Sequence, residues 1–300
     1  MIKSLKDRLP IPQPVLSVGG IVVAAISRAM GRDVMLFAGG ASYFGMLALF
    51  PAIALVMSAY GLLFSVEDAE AQIARFAEIM PVGAQQFVLG QMGRLADAPI
   101  AALSVNGAIA LAISLFAAAR GAKAVIAGLN HLAEDRDIRN VIHFNVLALF
   151  AVLIGSILLV MANLAVLFIP VFLRQALEFL GFAPLDIGGV INEWTVAAVF
   201  MFIALELLYR MTMRRRREAV GLRASTIAAL VATSLWLGLS KGFSLYVSQV
   251  VDFGVYGSLG ALVVFLLWIY WSSYAVFFGG ALAIEIDARV DGKSRKTPAG

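Results

Sequence analysis

The chain has no cysteine and only two histidines, His131 and His143. Without cysteine there can be no disulfide, no thiol nucleophile and no thiolate metal ligand. The histidines match no metal-motif spacing. With Glu134, Asp135 and Asp137 nearby, they read as a charged helix-to-helix turn rather than a hydrolytic metal centre. No metal or other cofactor is expected. Charge is scarce as well. Charged residues make up 14% of 300 positions and hydrophobic residues 61%, too little polar surface to cover a soluble globule of that length. Strand alternation, phosphate-binding glycine motifs and nucleophile elbows are also missing. No strands and no enzymatic activity are expected.

In their place are six long apolar runs, at about 34–64, 100–119, 141–172, 194–209, 224–250 and 256–284. Most reach the roughly 20 residues a helix needs to cross ~30 Å of hydrocarbon. They are apolar nearly all round, where a helix on a soluble protein keeps one apolar stripe. The expected fold is all-α: a polytopic membrane protein with six transmembrane helices. Residues 1–32 form an N-terminal segment, 33–287 the transmembrane domain and 288–300 a polar tail.

The basic residues orient it. Lys3, Lys6, Arg8, Arg28 and Arg32 precede the first run, and Arg120, Lys123, Arg136 and Arg139 follow the second. Arg210, Arg214, Arg215, Arg216, Arg217 and Arg223 follow the fourth, and Arg289, Lys293, Arg295 and Lys296 follow the sixth. Those are nineteen of the 23 Lys and Arg residues; Arg75, Arg94, Arg174 and Lys241 are the rest. The bias predicts cytoplasmic termini. The sequence pI near 9.5 is then a topology signal. The Arg214–Arg217 run reads as a solvated stretch near anionic headgroups, and no nucleic-acid partner is expected.

Val15, Val18, Val22, Ile26 and Met30 recur at helical spacing, with Ser17, Ser27 and Arg28 off the stripe. This predicts a helix over 14–31, lying in the membrane interface and ending at Gly31. The connection at about 65–99 is expected outside, split by Pro81 into two amphipathic helices packed on the bundle mouth or forming a lid.

Polar residues inside the runs are costly in hydrocarbon and therefore candidates for a substrate path. Lys241, Asn106, Asn163, Glu206 and Glu285 are these candidates. Lys241 either snorkels to outer headgroups or pairs with Glu193, Asp252 or an anionic substrate. Glu206, four residues before Arg210, is expected to pair with it. The line Ser234, Gly238, Gly242, with Gly257 and Ala261 and with Ala41 and Gly45, suits close helix packing within one chain or between two. Pro51 frees the carbonyl of Leu47 and predicts a kink.

Three segments resemble the YihY/BrkB family of bacterial inner-membrane proteins. They are Ala38-Gly39-Gly40-Ala41-Ser42-Tyr43-Phe44 with Leu47-Ala48-Leu49-Phe50-Pro51, the Gly128-Leu129-Asn130 turn after the second run, and Tyr256-Gly257-Ser258-Leu259-Gly260-Ala261 leading into Leu267-Trp268-Ile269-Tyr270. Tyr209-Arg210 also fits, and the resemblance runs from about Arg28 to Arg289. Where the family often has Gly-Ala-Glu, this chain has Gly279-Gly280-Ala281, with acids later at Glu285 and Asp287. The resemblance implies six spans with cytoplasmic termini and links to envelope lipid handling, serum resistance and osmolyte tolerance. The ribonuclease label once given to the family finds no support in these residues. The leading expectation is a transporter or flippase-like protein for a lipid or other amphipathic envelope component. An osmolyte transporter, with Trp236, Tyr246, Trp268, Tyr270 and Trp271 as cage walls or interfacial belts, is the alternative. A non-transporting scaffold is the third reading. Expected partners are membrane lipids, with a homo-oligomer or an envelope complex also compatible.

Overall fold

The computed structural model describes residues 18–63, 80–81, 84–90, 100–133, 141–180, 192–215, 218–250 and 253–294. They form helices α1 (Val18–Ala29), α2 (Arg32–Leu63), α3 (Ile100–Leu132), α4 (Val141–Phe179), α5 (Glu193–Thr212), α6 (Leu222–Val250) and α7 (Phe253–Ser294). Each of the six apolar runs lies within one of α2 to α7, apart from a residue at the end of the first. Among the described residues, four helices are long and apolar enough to cross a membrane: Ile142–Phe179, Glu193–Thr212, Leu222–Val247 and Gly260–Arg289.

Side-chain exposure follows from that solvent. Along α4 large apolar side chains point outward, with Phe172 76% and Phe179 91% exposed. In water such a surface would be unstable; against lipid tails it is neutral. Dense burial is concentrated instead at one end of the bundle, where Ala25, Ala29, Leu129, Leu132, Tyr209, Met213, Phe277 and Ile284 form one cluster. This end also carries Arg28, Arg210 and Arg289, and is called the basic end below.

α7 is the hub: it packs on α1, α2, α3 and α6, while α3–α4, α4–α5 and α5–α6 contacts close the ring. At 42 residues it is about 63 Å long, twice a hydrocarbon core. It therefore projects past the bilayer and runs through position 288, where the polar tail was expected to begin.

Local differences from the sequence expectations have physical causes. Gly128-Leu129-Asn130 is no turn but part of α3, as are Arg120 and Lys123. Leu129 and Leu132 are buried against the basic-end cluster, which extends the helix past the apolar run. Arg120 places its guanidinium 4.8 Å from the Phe116 ring centroid, so its charge is tolerated on a helix. The arginine run is not entirely irregular: Arg214–Arg215 pairs antiparallel with Glu218–Ala219 in a two-residue ladder. That hairpin is pinned to α7, since the Gly221 N–H donates to Asp287 Oδ1 at 3.0 Å. α2 continues through Pro51 as helix.

α1 begins at Val18 and ends before Gly31, within the expected span. Its expected stripe faces away from the protein, with Val22, Ile26 and Met30 exposed, while Ala25 and Ala29 are buried. Alanine at those two positions lets α1 lie close on α7. Residues 84–90 are helical, and Ala84, Phe87 and Val88 pack on Ala261 and Phe265 of α7. The rest of the 65–99 connection, apart from 80–81, lies outside the described residues.

Candidate functional site

The sequence candidates do not converge. Asn106 and Asn163 lie on α3 and α4, and their side chains are outside the described residues, as is everything beyond the backbone at Pro51 and Gly257. Lys241, Glu206 and Glu285 occupy three separate places.

Lys241 sits about 28 Å along α6 from its start at the basic end. Its Nζ lies 3.8 Å from the ring centroid of Trp194. Trp194 is held there by the start of α5. Asn192 caps that helix, its Oδ1 accepting from the Trp194 and Thr195 N–H groups at 3.0 Å each, and Thr195 Oγ1 accepts in return from the Asn192 N–H. Among the described residues no carboxylate pairs with Lys241, so the expected partner Glu193 is replaced by an aromatic face; Asp252 lies outside them. A tryptophan face attracts the ammonium without neutralising it. The charge stays available.

On a different face from Lys241, the same helix carries an open groove of about 430 Å³, lined by Ser234, Leu235, Gly238, Leu239, Gly242, Phe243 and Tyr246. A Cβ added at Gly238 or Gly242 would meet nothing within 4 Å, so among the described residues neither glycine serves helix packing. Ala41 and Gly45 do: a Cβ added at Gly121 of α3 would stand 3.8 Å from the Ala41 carbonyl and 3.7 Å from the Gly45 nitrogen.

Glu206 does not pair with Arg210. Its Oε1 accepts from Ser225 Oγ of α6 at 2.7 Å, and its buried Oε2 has no partner among the described residues. Trp194 and Glu206 are twelve residues apart on α5, about 18 Å, which separates the acid from Lys241.

Glu285 is engaged at the basic end. Its Oε1 is 3.2 Å from both Nε and Nη2 of Arg28, whose Nη1 donates to the Leu132 carbonyl at 2.8 Å. Next to this pair, His131 Nε2 lies 3.3 Å from Asp33 Oδ2. Both pairs line an open cavity of about 500 Å³, with Ser27, Gly31 and Arg32 beside the apolar Ala24, Val34 and Leu132. The sequence reading missed this site. His131 and Asp33 are 98 positions apart, and only the extension of α3 beyond its apolar run brings them together.

The aromatic candidates divide. Trp236 is buried and tilts against Trp268, whose Nε1 donates to Ser240 Oγ at 3.0 Å. These two rings fill the core between α6 and α7 and leave no cage. Tyr246 and Trp271 are exposed, as a membrane belt requires.

At the basic end, the Gly128-Leu129-Asn130 segment and Tyr209 both pack against α7. The Phe277 ring occupies the space a Cβ on Gly128 would need, at 2.5 Å. A Cβ on Gly279 would strike the Tyr209 hydroxyl and lie 2.7 Å from Ala232. That hydroxyl donates to the Val276 carbonyl at 2.8 Å. α3 and α5 thus each pack tightly on α7. The pattern of the virulence factor BrkB family matches residues 25–299. The chain belongs to this family. It is 29% identical over 265 residues to the "Putative ribonuclease-like protein YfkH" of Bacillus subtilis (strain 168), covering 86% of this chain and 90% of that one. It is also 33% identical over 110 residues to a "UPF0761 membrane protein" of Xanthomonas campestris pv. campestris (strain 8004), and likewise to one of Xanthomonas oryzae pv. oryzae (strain PXO99A). Those matches cover 36% of this chain and a quarter of each Xanthomonas protein. No solved structure matches. This BrkB-family chain is thus a membrane protein.

Proposed function

We propose that this BrkB-family protein is a six-span, non-enzymatic protein of the bacterial inner membrane, with both termini cytoplasmic, that moves an anionic amphipathic envelope component across or within the bilayer. The carrying observation is Lys241. A lysine on an apolar helix, far from the basic end and partnered among the described residues by a tryptophan face and no carboxylate, keeps a charge that an anionic headgroup would satisfy. A groove on another face of α6, at about the same height along the helix, supplies an apolar seat for an acyl chain. Nothing in the chain resembles a nucleotide site, so movement would be passive or coupled to an ion gradient. Glu206, with a buried oxygen open for a proton or cation, is the residue suited to such coupling.

The test is native mass spectrometry of gently purified protein, followed by flux of the retained lipid in reconstituted vesicles. Wild type is expected to retain a defined anionic lipid and move it. Lys241→Met should lose both properties, and Lys241→Arg should keep them. Equal retention and flux by wild type and Lys241→Met would defeat the proposal.

A further inference from the structure

The cavity at the basic end has a charge arrangement that selects a ligand class, independently of Lys241 and of any transport. Its volume of about 500 Å³ lies within the usual range of small-molecule sites. Four elements build it: α1 with Ser27 and Arg28, the α1–α2 link and start of α2 with Gly31, Arg32 and Asp33, α3 with His131, and α7 with Glu285. Two guanidinium groups and two carboxylates face the same space, with one imidazole beside them.

Part of this set is spent internally. Arg28 is fixed between Glu285 Oε1 and the Leu132 carbonyl, and Asp33 Oδ2 faces His131. Among the described residues, Arg32 and the Ser27 hydroxyl have no partner, and the contacts of Glu285 use only Oε1. Among the described residues, the cavity therefore offers a free cation and a free hydroxyl on one side and a free carboxylate oxygen on the other. A simple anion drawn to Arg32 would also meet Asp33 and Glu285. A simple cation would meet Arg28 and Arg32. Each loses by repulsion much of what it gains by attraction.

We infer that this cavity binds a small zwitterion, its phosphate or carboxylate on Arg32 and Ser27 and its ammonium on Glu285 Oε2. A free solute and the headgroup of a zwitterionic phospholipid share this chemistry.

Isothermal titration of the full chain in detergent tests the assignment, with phosphoethanolamine as ligand and inorganic phosphate and ethanolamine as single-charge controls. Phosphoethanolamine is expected to bind saturably, about tenfold or more tighter than either control. Arg32→Gln should weaken it about tenfold with thermal stability unchanged, because the replaced side chain is exposed. Asp33→Asn removes one negative charge, and inorganic phosphate should then approach the affinity of the zwitterion. Wild type that binds phosphate as tightly as phosphoethanolamine, or binds none of the three, would overturn the inference; so would an Arg32→Gln variant that binds normally. Repeating the titration in nanodiscs separates the sources. Loss of binding in phosphatidylethanolamine discs but not in phosphatidylglycerol discs identifies the lipid headgroup, and equal binding in both identifies a soluble zwitterion.

Discussion

Arg28 and Glu285, 257 positions apart, meet through a single carboxylate oxygen that both Nε and Nη2 of the guanidinium approach to 3.2 Å. This contact ties the first described helix to the last. Its side chains are 28% and 18% exposed, so it is neither a solvated surface pair nor a fully desolvated one. Arg28→Ala and Glu285→Ala should each destabilise the protein by about 1–2 kcal/mol. The double variant should fall short of additivity by about 1 kcal/mol, measured as a mutant cycle on unfolding in micelles. Strict additivity would mean the two groups do not interact.

The contact of Tyr209 with Gly279 predicts a steric dependence. Gly279→Ala adds a methyl where the Tyr209 hydroxyl and Ala232 already stand, an overpacking cost of about 1–3 kcal/mol. Tyr209→Phe alone removes one hydrogen bond to the Val276 carbonyl, about 1 kcal/mol. In the Tyr209→Phe background, Gly279→Ala should cost distinctly less than in wild type, because the blocking oxygen is gone. Thermal unfolding of the four proteins decides it.

Trp194 should tune the charge of Lys241 without supplying it. Trp194→Leu removes a cation–aromatic contact of about 0.5–2 kcal/mol but leaves the ammonium in place. Retention of an anionic lipid in native mass spectrometry should therefore change much less than in Lys241→Met. If the two variants lose lipid equally, the tryptophan contacts the ligand itself.

The absence of cysteine makes orientation directly measurable, since each introduced thiol is the sole reporter. Met30→Cys stands exposed just past the end of α1, and Gln86→Cys on the exposed side of the helical segment at the opposite end. With both termini cytoplasmic, an impermeant maleimide applied to intact spheroplasts should label only Gln86→Cys, and both after permeabilisation. Labelling of Met30→Cys alone in intact spheroplasts would invert the orientation.

The helices were legible in the sequence because a bilayer imposes one constraint on every residue of a span: backbone groups must be satisfied internally and side chains must be apolar. Run length alone thus located α2 to α7. The pattern was less informative wherever burial came from protein. Beyond Ala119 the apolar run ends, yet α3 continues to Leu132 because α1, α2 and α7 cover Leu129 and Leu132. For the same reason Gly128-Leu129-Asn130 reads as a turn and is a helix–helix contact.

By itself, the sequence determined the membrane, the helical class and the segregation of basic residues to one end, since each depends on composition summed along a segment. Tertiary structure alone decided which charges meet. Glu206 turns to Ser225 on α6 and not to Arg210 one turn away, Lys241 finds the face of Trp194 and not the neighbouring Glu193, and Asp33 reaches a histidine on another helix. Side-chain pairing depends on helix rotation and register between distant segments, and a run of apolar residues that is uniform around its circumference carries no information about either.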